Sequence, residues 1–587
     1  GHMPELLERY HGVTEPLHVV RLHGIDYALI YANRTHEAPM AWIAEHADPA
    51  TDAIVVNRPS LFEANYRGPL PVYALPESED EDLALSMLRQ AVGEGIERVW
   101  FVDYGVQRLN SWFDCWMDHQ FRYHAALAEE HVFPDVSLSL WELRDGAFAR
   151  AAEVRREAGV LVDGELELTA YGLCAPDVDW ARGMRGVLEW RALRDVSRDL
   201  SIVSYVVGPD GRTWGQGDRW IVSEGQAPTG HWMQDDRVMS EMVADLTPGL
   251  APGPYAIEVE VYDRETGERV PVHDADGVLL EHPFSLGAVT VAPSRTAPEP
   301  EQIPVQPHEV WVAPTLKLAG WSLERPTVYF GDRLTVAMSW QAADAVPEDY
   351  RLRLQLVDAQ GGILAHRMLD IASPDHPTSQ WLPGEVLWRY YDLAIAEEAT
   401  AGNASLVLTI LDGDGDAVGE PVPLTPVRVE GRYYDLPASA HPQPARLGDA
   451  IELMGFAVDT PTVQPGQTLE VALYWRAESS IAEQYTVFTH LIGPDGALRG
   501  QKDSMPLEGH YPTDRWREGE VIGDRYLITV AEDAPPGSYR VGIGMYNWAA
   551  DMRSLPLYDE RGVRQPDDRL MLDVEITVLD QQMAERP

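Results

Sequence analysis

Two patterns of apolar spacing divide the chain near residue 150. Before that point, short apolar runs alternate with stretches of 3.6-residue periodicity. Residues 18–31 read as two strands about a His23-Gly24 turn, which predicts a hairpin. Residues 39–46 and 81–93 have helical spacing, the second with Leu83, Met87, Leu88 and Val92 on one side. Residues 53–57 and 98–103 are compact apolar strands, the first stopped by Arg58-Pro59. A long helix is expected over 112–130 and an alternating strand over 137–143.

From about Gly164 onward the pattern changes to strands rich in Val, Leu, Tyr and Trp, separated by Pro and Gly turns at the spacing of sandwiches. A repeat runs through this part. Its first copy has Leu188-Glu189-Trp190-Arg191-Ala192, Gly208-Pro209-Asp210-Gly211, Pro228-Thr229-Gly230-His231-Trp232 and Pro252-Gly253-Pro254-Tyr255. Its third has Leu473-Tyr474-Trp475-Arg476-Ala477, Gly493-Pro494-Asp495-Gly496, Pro512-Thr513-Asp514-Arg515-Trp516 and Pro536-Gly537-Ser538-Tyr539. The second keeps phase with Trp340-Gln341-Ala342 and Pro377-Thr378-Ser379-Gln380-Trp381. Trp190 to Trp232 is 42 residues, and Trp340 to Trp381 and Trp475 to Trp516 are 41 each. Fixed-period similarity in units of this size means a duplicated sandwich rather than a solenoid turn.

The expected fold class is therefore multidomain α/β plus all-β: a layered, Rossmann-like α/β module over residues 1–150, then three tandem immunoglobulin-like β-sandwich repeats over 160–291, 308–432 and 445–580. The Pro-rich runs 292–307 and 434–444 have linker composition. Gly1-His2-Met3 reads as a remnant of tag removal, so natural sequence is expected from Pro4.

Charge narrows the function. The chain carries 94 acidic against 46 basic residues, a formal net charge of -48, which argues against a nucleic-acid partner because duplex binders need a basic face. No stretch approaches the ~20 apolar residues of a membrane span, so a soluble piece is expected. Cys115 and Cys174 fall in different predicted domains and in no zinc or CxxC pattern. Two free buried thiols are the expectation, with an interdomain disulfide as the alternative.

Open α/β sheets bind ligands at the carboxyl ends of their strands, which singles out Asn57, Arg58, Asp103 and Tyr104. No GxGxxG or GxxxxGK[ST] follows either strand, and GxSxG and HExxH are absent. No catalytic residue, metal ligand or cofactor is assigned. Asp412-Gly413-Asp414-Gly415-Asp416 starts like a calcium loop but has Ala417 and Pro423 where Gly and Glu are required, and reads as an acidic turn. Trp190, Trp340 and Trp475 alternate with polar neighbours and are assigned to the sandwich cores, as are Tyr255 and Tyr539 of the Pro-Gly-x-Tyr motif. Trp232, Trp381 and Trp516 either cap the sandwich edge or form sugar-stacking platforms, the structural role leading.

Residues 21–31 (Arg-Leu-His-Gly-Ile-Asp-Tyr-Ala-Leu-Ile-Tyr), Trp42-Ile43-Ala44, Val56-Asn57-Arg58-Pro59 and Gly68-Pro69-Leu70-Pro71 resemble the region after the last membrane span of certain bacterial glycosyltransferases. These belong to the protein-mannosyltransferase and aminoarabinose-transferase superfamily, which uses lipid-linked sugars. The sandwich motifs also resemble tails of such proteins. The resemblance implies a non-catalytic extracytoplasmic region, attached through a parent membrane domain, that positions or binds a glycan or glycoprotein acceptor. The family's catalytic acid lies between early membrane helices, and nothing here matches that loop. Two rival readings remain: a stand-alone cell-surface carbohydrate-binding protein, and an enzyme with its site in the α/β module.

Overall fold

A computed structural model describes residues 16–579 apart from 23–24, 32–36, 58, 60–61, 63–65, 77–79, 105–111, 134–135, 224–226, 295, 398–399 and 549–551. The protein is mostly β. Strands β1 (Pro16–Leu22) and β2 (Ile25–Tyr31) pair antiparallel as a separate hairpin. The α/β module follows with α1 (Glu37–His46), β3 (Asp52–Val56), β4 (Val72–Ala74), α2 (Glu81–Gly93), β5 (Arg98–Tyr104), α3 (Trp112–His124), β6 (Ala125–Phe133) and β7 (Val136–Leu143). Its sheet has the order β4-β3-β5-β7-β6. Strands β4, β3 and β5 run parallel, whereas β7 and β6 are antiparallel, so only half the sheet follows the parallel pattern expected from sequence.

The apolar run of β3 is buried at every position because the sheet is covered on both faces. That burial takes in Asp52, whose carboxylate receives Arg98 Nε and Nη2 at 2.7 Å each and Trp100 Nε1 at 3.0 Å. Burial pushes this carboxyl up, but the hydrogen bonds from Arg98, the Asp48 N–H, Trp100 and Thr51 outweigh it and hold the group below its ordinary range. Asp80 caps α2 by accepting the Leu83 N–H at 2.9 Å.

The helix expected over 112–130 ends at His124. Residues 125–133 instead form β6, an edge strand paired with β7 from Ala125 to Phe133. Ala-Ala-Leu-Ala-Glu-Glu favours a helix locally, and the free edge of β7 overrides that preference.

Beyond the module lie three layered β units with a shared central path, the first with its two layers joined into one ten-stranded sheet where Thr213–Trp220 pairs with Arg237–Leu246. In each, a central strand carries the first Trp of the repeat: Met184–Ala192, Arg333–Ala342 and Thr468–Ala477. It lies between Leu166–Leu173 and Arg237–Leu246 in the first unit, Leu316–Leu323 and Val386–Ala394 in the second, and Ile451–Val458 and Val521–Thr529 in the third. The facing sheet of each unit has a short strand running parallel to its last one: Asp177–Val178 on Phe284–Val291, Thr327–Tyr329 on Val422–Glu430, and Thr462–Val463 on Ile576–Val578.

Strand Thr468–Ala477 alternates strictly, with Leu469, Val471, Leu473, Trp475 and Ala477 buried. Its counterpart Met184–Ala192 is buried almost throughout. The difference arises because α3 packs on the outer face of the first unit, where Val187 meets Cys115 and Cys174. Trp190, Trp340 and Trp475 are fully buried, one at the centre of each core. Tyr255 and Tyr539 fix a corner by donating their hydroxyls to carbonyls four residues earlier, Ala251 at 2.8 Å and Pro535 at 2.7 Å.

Cys115 and Cys174 are joined in a disulfide between α3 and the first sandwich, so the expectation of two free thiols is corrected. Docking α3 brings the two Cα atoms to 4.4 Å, within bridging range. The same joint is fixed by the His119 ring, whose Nδ1 lies 2.7 Å from the Leu173 carbonyl, and by Gln120, which exchanges two hydrogen bonds with the Ala152 backbone at 2.8 and 2.9 Å.

The next joint packs Trp214 against Trp388, with ring centroids 4.8 Å apart, and Trp388 Nε1 donates to the Pro248 carbonyl at 2.7 Å. At the last joint Arg432 reaches Phe330, Tyr511, Glu520 and Asp332. Among the described residues, no helix is long and apolar enough to cross a membrane.

Candidate functional site

Parallel pairing of β3 with β5 sets Val56 beside Val102, which brings Asn57, just past the end of β3, beside Asp103, the second-last residue of β5. Asn57 Nδ2 donates to Asp103 Oδ1 at 2.5 Å and to the Tyr104 carbonyl at 3.2 Å, and its Oδ1 accepts the Tyr104 N–H at 2.9 Å. The amide therefore ties down the end of β5 and holds the Asp103 carboxylate in place. Both side chains line a cleft of about 390 Å³ between the α/β module and the first sandwich.

Of the four module residues read from sequence, Asn57 and Asp103 meet in this cleft. Tyr104 joins them through its backbone; its ring is buried, and that burial pushes the phenol up to about 12. Arg58 lies outside the described residues.

The remaining walls come from elements that sequence reading did not connect to the site. Helix α3 contributes Asp114, Asp118 and Arg122, one turn apart on a single face, and the segment after Cys174 contributes Asp177, Asp179, Arg182 and Arg185. The i, i+4 spacing of the helix trio is visible in the sequence. Its meeting with Asp177–Arg185 depends on how the two units dock. Glu130 completes a lining of six carboxylates and three guanidinium groups.

Arg122 lies over the Trp141 ring at 5.6 Å and donates Nε to Asp118 at 2.9 Å. Burial pulls this guanidinium down, yet Asp118, Glu130 and Asp179 more than offset it, so its affinity for the proton rises. Trp141 donates in turn to Ser139 Oγ at 2.7 Å. His119, behind the cleft, has its pKa lowered by burial, the Leu173 carbonyl opposing. Phe101 supplies partly exposed apolar surface, and Phe113 and Phe121 back it from the buried core of the module. Acceptors, donors and some apolar surface converging on one space suit a hydroxyl-rich ligand of one or two rings. Among the described residues, no group of three His, Cys, Asp or Glu side chains could hold a metal ion.

The second Trp of each repeat is not a platform. Trp232, Trp381 and Trp516 are 3–4% exposed, and their Nε1 atoms donate to the carbonyls of Ala227, His376 and Tyr511 at 3.0–3.1 Å. A ring buried in its own core has no face to offer a sugar. The motif's Thr explains the conserved spacing. Thr229, Thr378 and Thr513 each accept a backbone N–H, from Leu200, Tyr350 and Tyr485, and donate to the carbonyl two residues before it. This clasp binds the 3₁₀ turn ahead of each Trp to the facing sheet.

No family model and no curated protein matches the chain. Among solved structures, the crystal structure of a "Putative membrane anchored protein" from Corynebacterium diphtheriae aligns with 69% of this chain and 91% of its own, at 11% identity and a TM-score of 0.14.

Proposed function

We propose that the chain is a non-catalytic, extracytoplasmic binding arm of a membrane glycosyltransferase, and that it holds a glycan or glycoprotein acceptor in the cleft between the α/β module and the first sandwich. The observation that carries this reading is the cleft itself. It lies at the carboxyl ends of parallel strands, the usual ligand position in such sheets. Its lining mixes hydrogen-bond acceptors, the Arg122 guanidinium and aromatic surface, the combination that recognises sugar hydroxyls and the apolar face of a pyranose. The Cys115–Cys174 bond supports an oxidising compartment, because such bonds persist mainly outside the cytoplasm.

A glycan-array screen of the purified chain beside an Asp103→Ala variant tests the reading. Glycan binding by the parent chain that is lost in the folded variant supports it. Binding that survives the substitution, or no binding to any glycan, refutes the cleft as an acceptor site.

A further inference from the structure

A second cavity, of about 200 Å³, lies at the joint between the second and third sandwiches, lined by Tyr329, Tyr433, Tyr474, Tyr511, Glu430 and the buried Arg432 among others. We propose that it binds a quaternary or methylated ammonium group, an inference that goes beyond the glycan reading of the cleft and does not depend on it.

The inner wall is already committed. Arg432 gives Nε to the Phe330 carbonyl at 2.8 Å, Nη1 to the Tyr511 hydroxyl and to Glu520, and Nη2 to Asp332, so four of its five N–H groups are taken. Glu520 is equally occupied: it accepts from Arg432, from the Tyr511 hydroxyl and from the Arg517 N–H. The guanidinium also sits over Tyr329 and Tyr511, at 5.8 and 5.5 Å from their centroids. What remains for a visitor is Tyr433, Tyr474 and the Glu430 carboxylate, whose Oε1 also accepts Arg428 Nε at 3.3 Å.

The two tyrosines are held differently. Tyr474 lies against Gly523, where a Cβ would come within 3.1 Å of the ring, so glycine at this position leaves room for it on the strand. Tyr433 is 65% exposed, yet its backbone is fixed because its carbonyl accepts the Val521 N–H at 2.7 Å. Aromatic side chains at the mouth of a cavity, with an acid beside them and all but one N–H of the nearby guanidinium taken, favour a cation that needs no donors from the protein. A sugar would need several donors, and Arg432 has one N–H left.

Calorimetric titration of the full chain with choline, and in parallel with neohexyl alcohol as its uncharged isostere, tests the proposal. Choline is expected to bind saturably and at least about tenfold more tightly than the alcohol. Tyr433→Ala, at an exposed position, and Glu430→Gln should each weaken choline several-fold at an unchanged melting temperature, whereas Asp103→Ala in the distant cleft should leave it unaffected. No heat with choline, equal binding of the alcohol, or full binding by Tyr433→Ala and Glu430→Gln would overturn it.

Discussion

The Cys115–Cys174 bond gives the most quantitative test of how the α/β module is fastened to the first sandwich. It closes a loop with a sequence separation of 59. The chain-entropy relation for a loop of that length gives about 4 kcal/mol of stabilisation through restriction of the unfolded state. A Cys115→Ser, Cys174→Ser double variant keeps the buried Gln120 and His119 contacts to Ala152 and Leu173, so the joint should still form but unfold more easily. For a unit of this size, each kcal/mol moves the melting temperature by roughly 2–4 °C, so a fall of about 10 °C is expected. Differential scanning calorimetry reads it directly. Only the transition that includes the module should move, and transitions of the second and third sandwiches should hold their temperatures, since the bond touches neither. A thermogram unchanged in every transition, or two reactive thiols in the unfolded parent chain without reductant, would refute the reasoning.

Thr513→Val removes the clasp that accepts the Tyr485 N–H at 3.0 Å and donates to the Glu483 carbonyl at 2.6 Å; it should cost the third sandwich about 2 kcal/mol, read as a lower denaturant midpoint for that unit alone. Trp388→Ala removes the tilted ring contact with Trp214 and the bond to the Pro248 carbonyl, so the first two sandwiches should lose their fixed angle, seen as a broadened distance distribution in small-angle scattering. Asp524 is buried, and burial raises its pKa from 3.8 to about 6 against the opposing hydrogen bonds of Tyr526 and the Leu507 and Arg525 N–H groups. The folded state therefore binds this proton more tightly than the unfolded state. Stability of the third sandwich should fall by up to about 3 kcal/mol as pH rises through the window from 3.8 to about 6, and Asp524→Asn should flatten that slope in pH-dependent urea unfolding.

Much of the β-rich architecture is legible in particular residues. Alternation around Trp475 announces a strand with one buried face, and the matching spacing to Trp516 announces a unit of constant path. The Pro-Thr-x-x-Trp motif is equally visible, but its meaning is not: the sequence cannot tell a buried indole from an exposed one, and the residue that explains the spacing is the Thr. Helix α3 ends early because β7 offers an open edge, a partner sequence-distant enough to escape any local window. The cysteine pairing and the cleft share one cause of illegibility. Cys115 and Asp118 belong to one unit, Cys174 and Asp179 to the next, and only docking of α3 on the first sandwich brings them together. Asn57 and Asp103 could be found because parallel strand ends are predictable positions.

The most direct test of the central claim is a hydrogen-exchange footprint of the chain with the best-binding oligosaccharide from the array. Binding in the cleft predicts added protection in α3 and in the segment from Asp177 to Arg185, with the second and third sandwiches unchanged. Protection confined to those two sandwiches, or none at saturating ligand, would contradict the account.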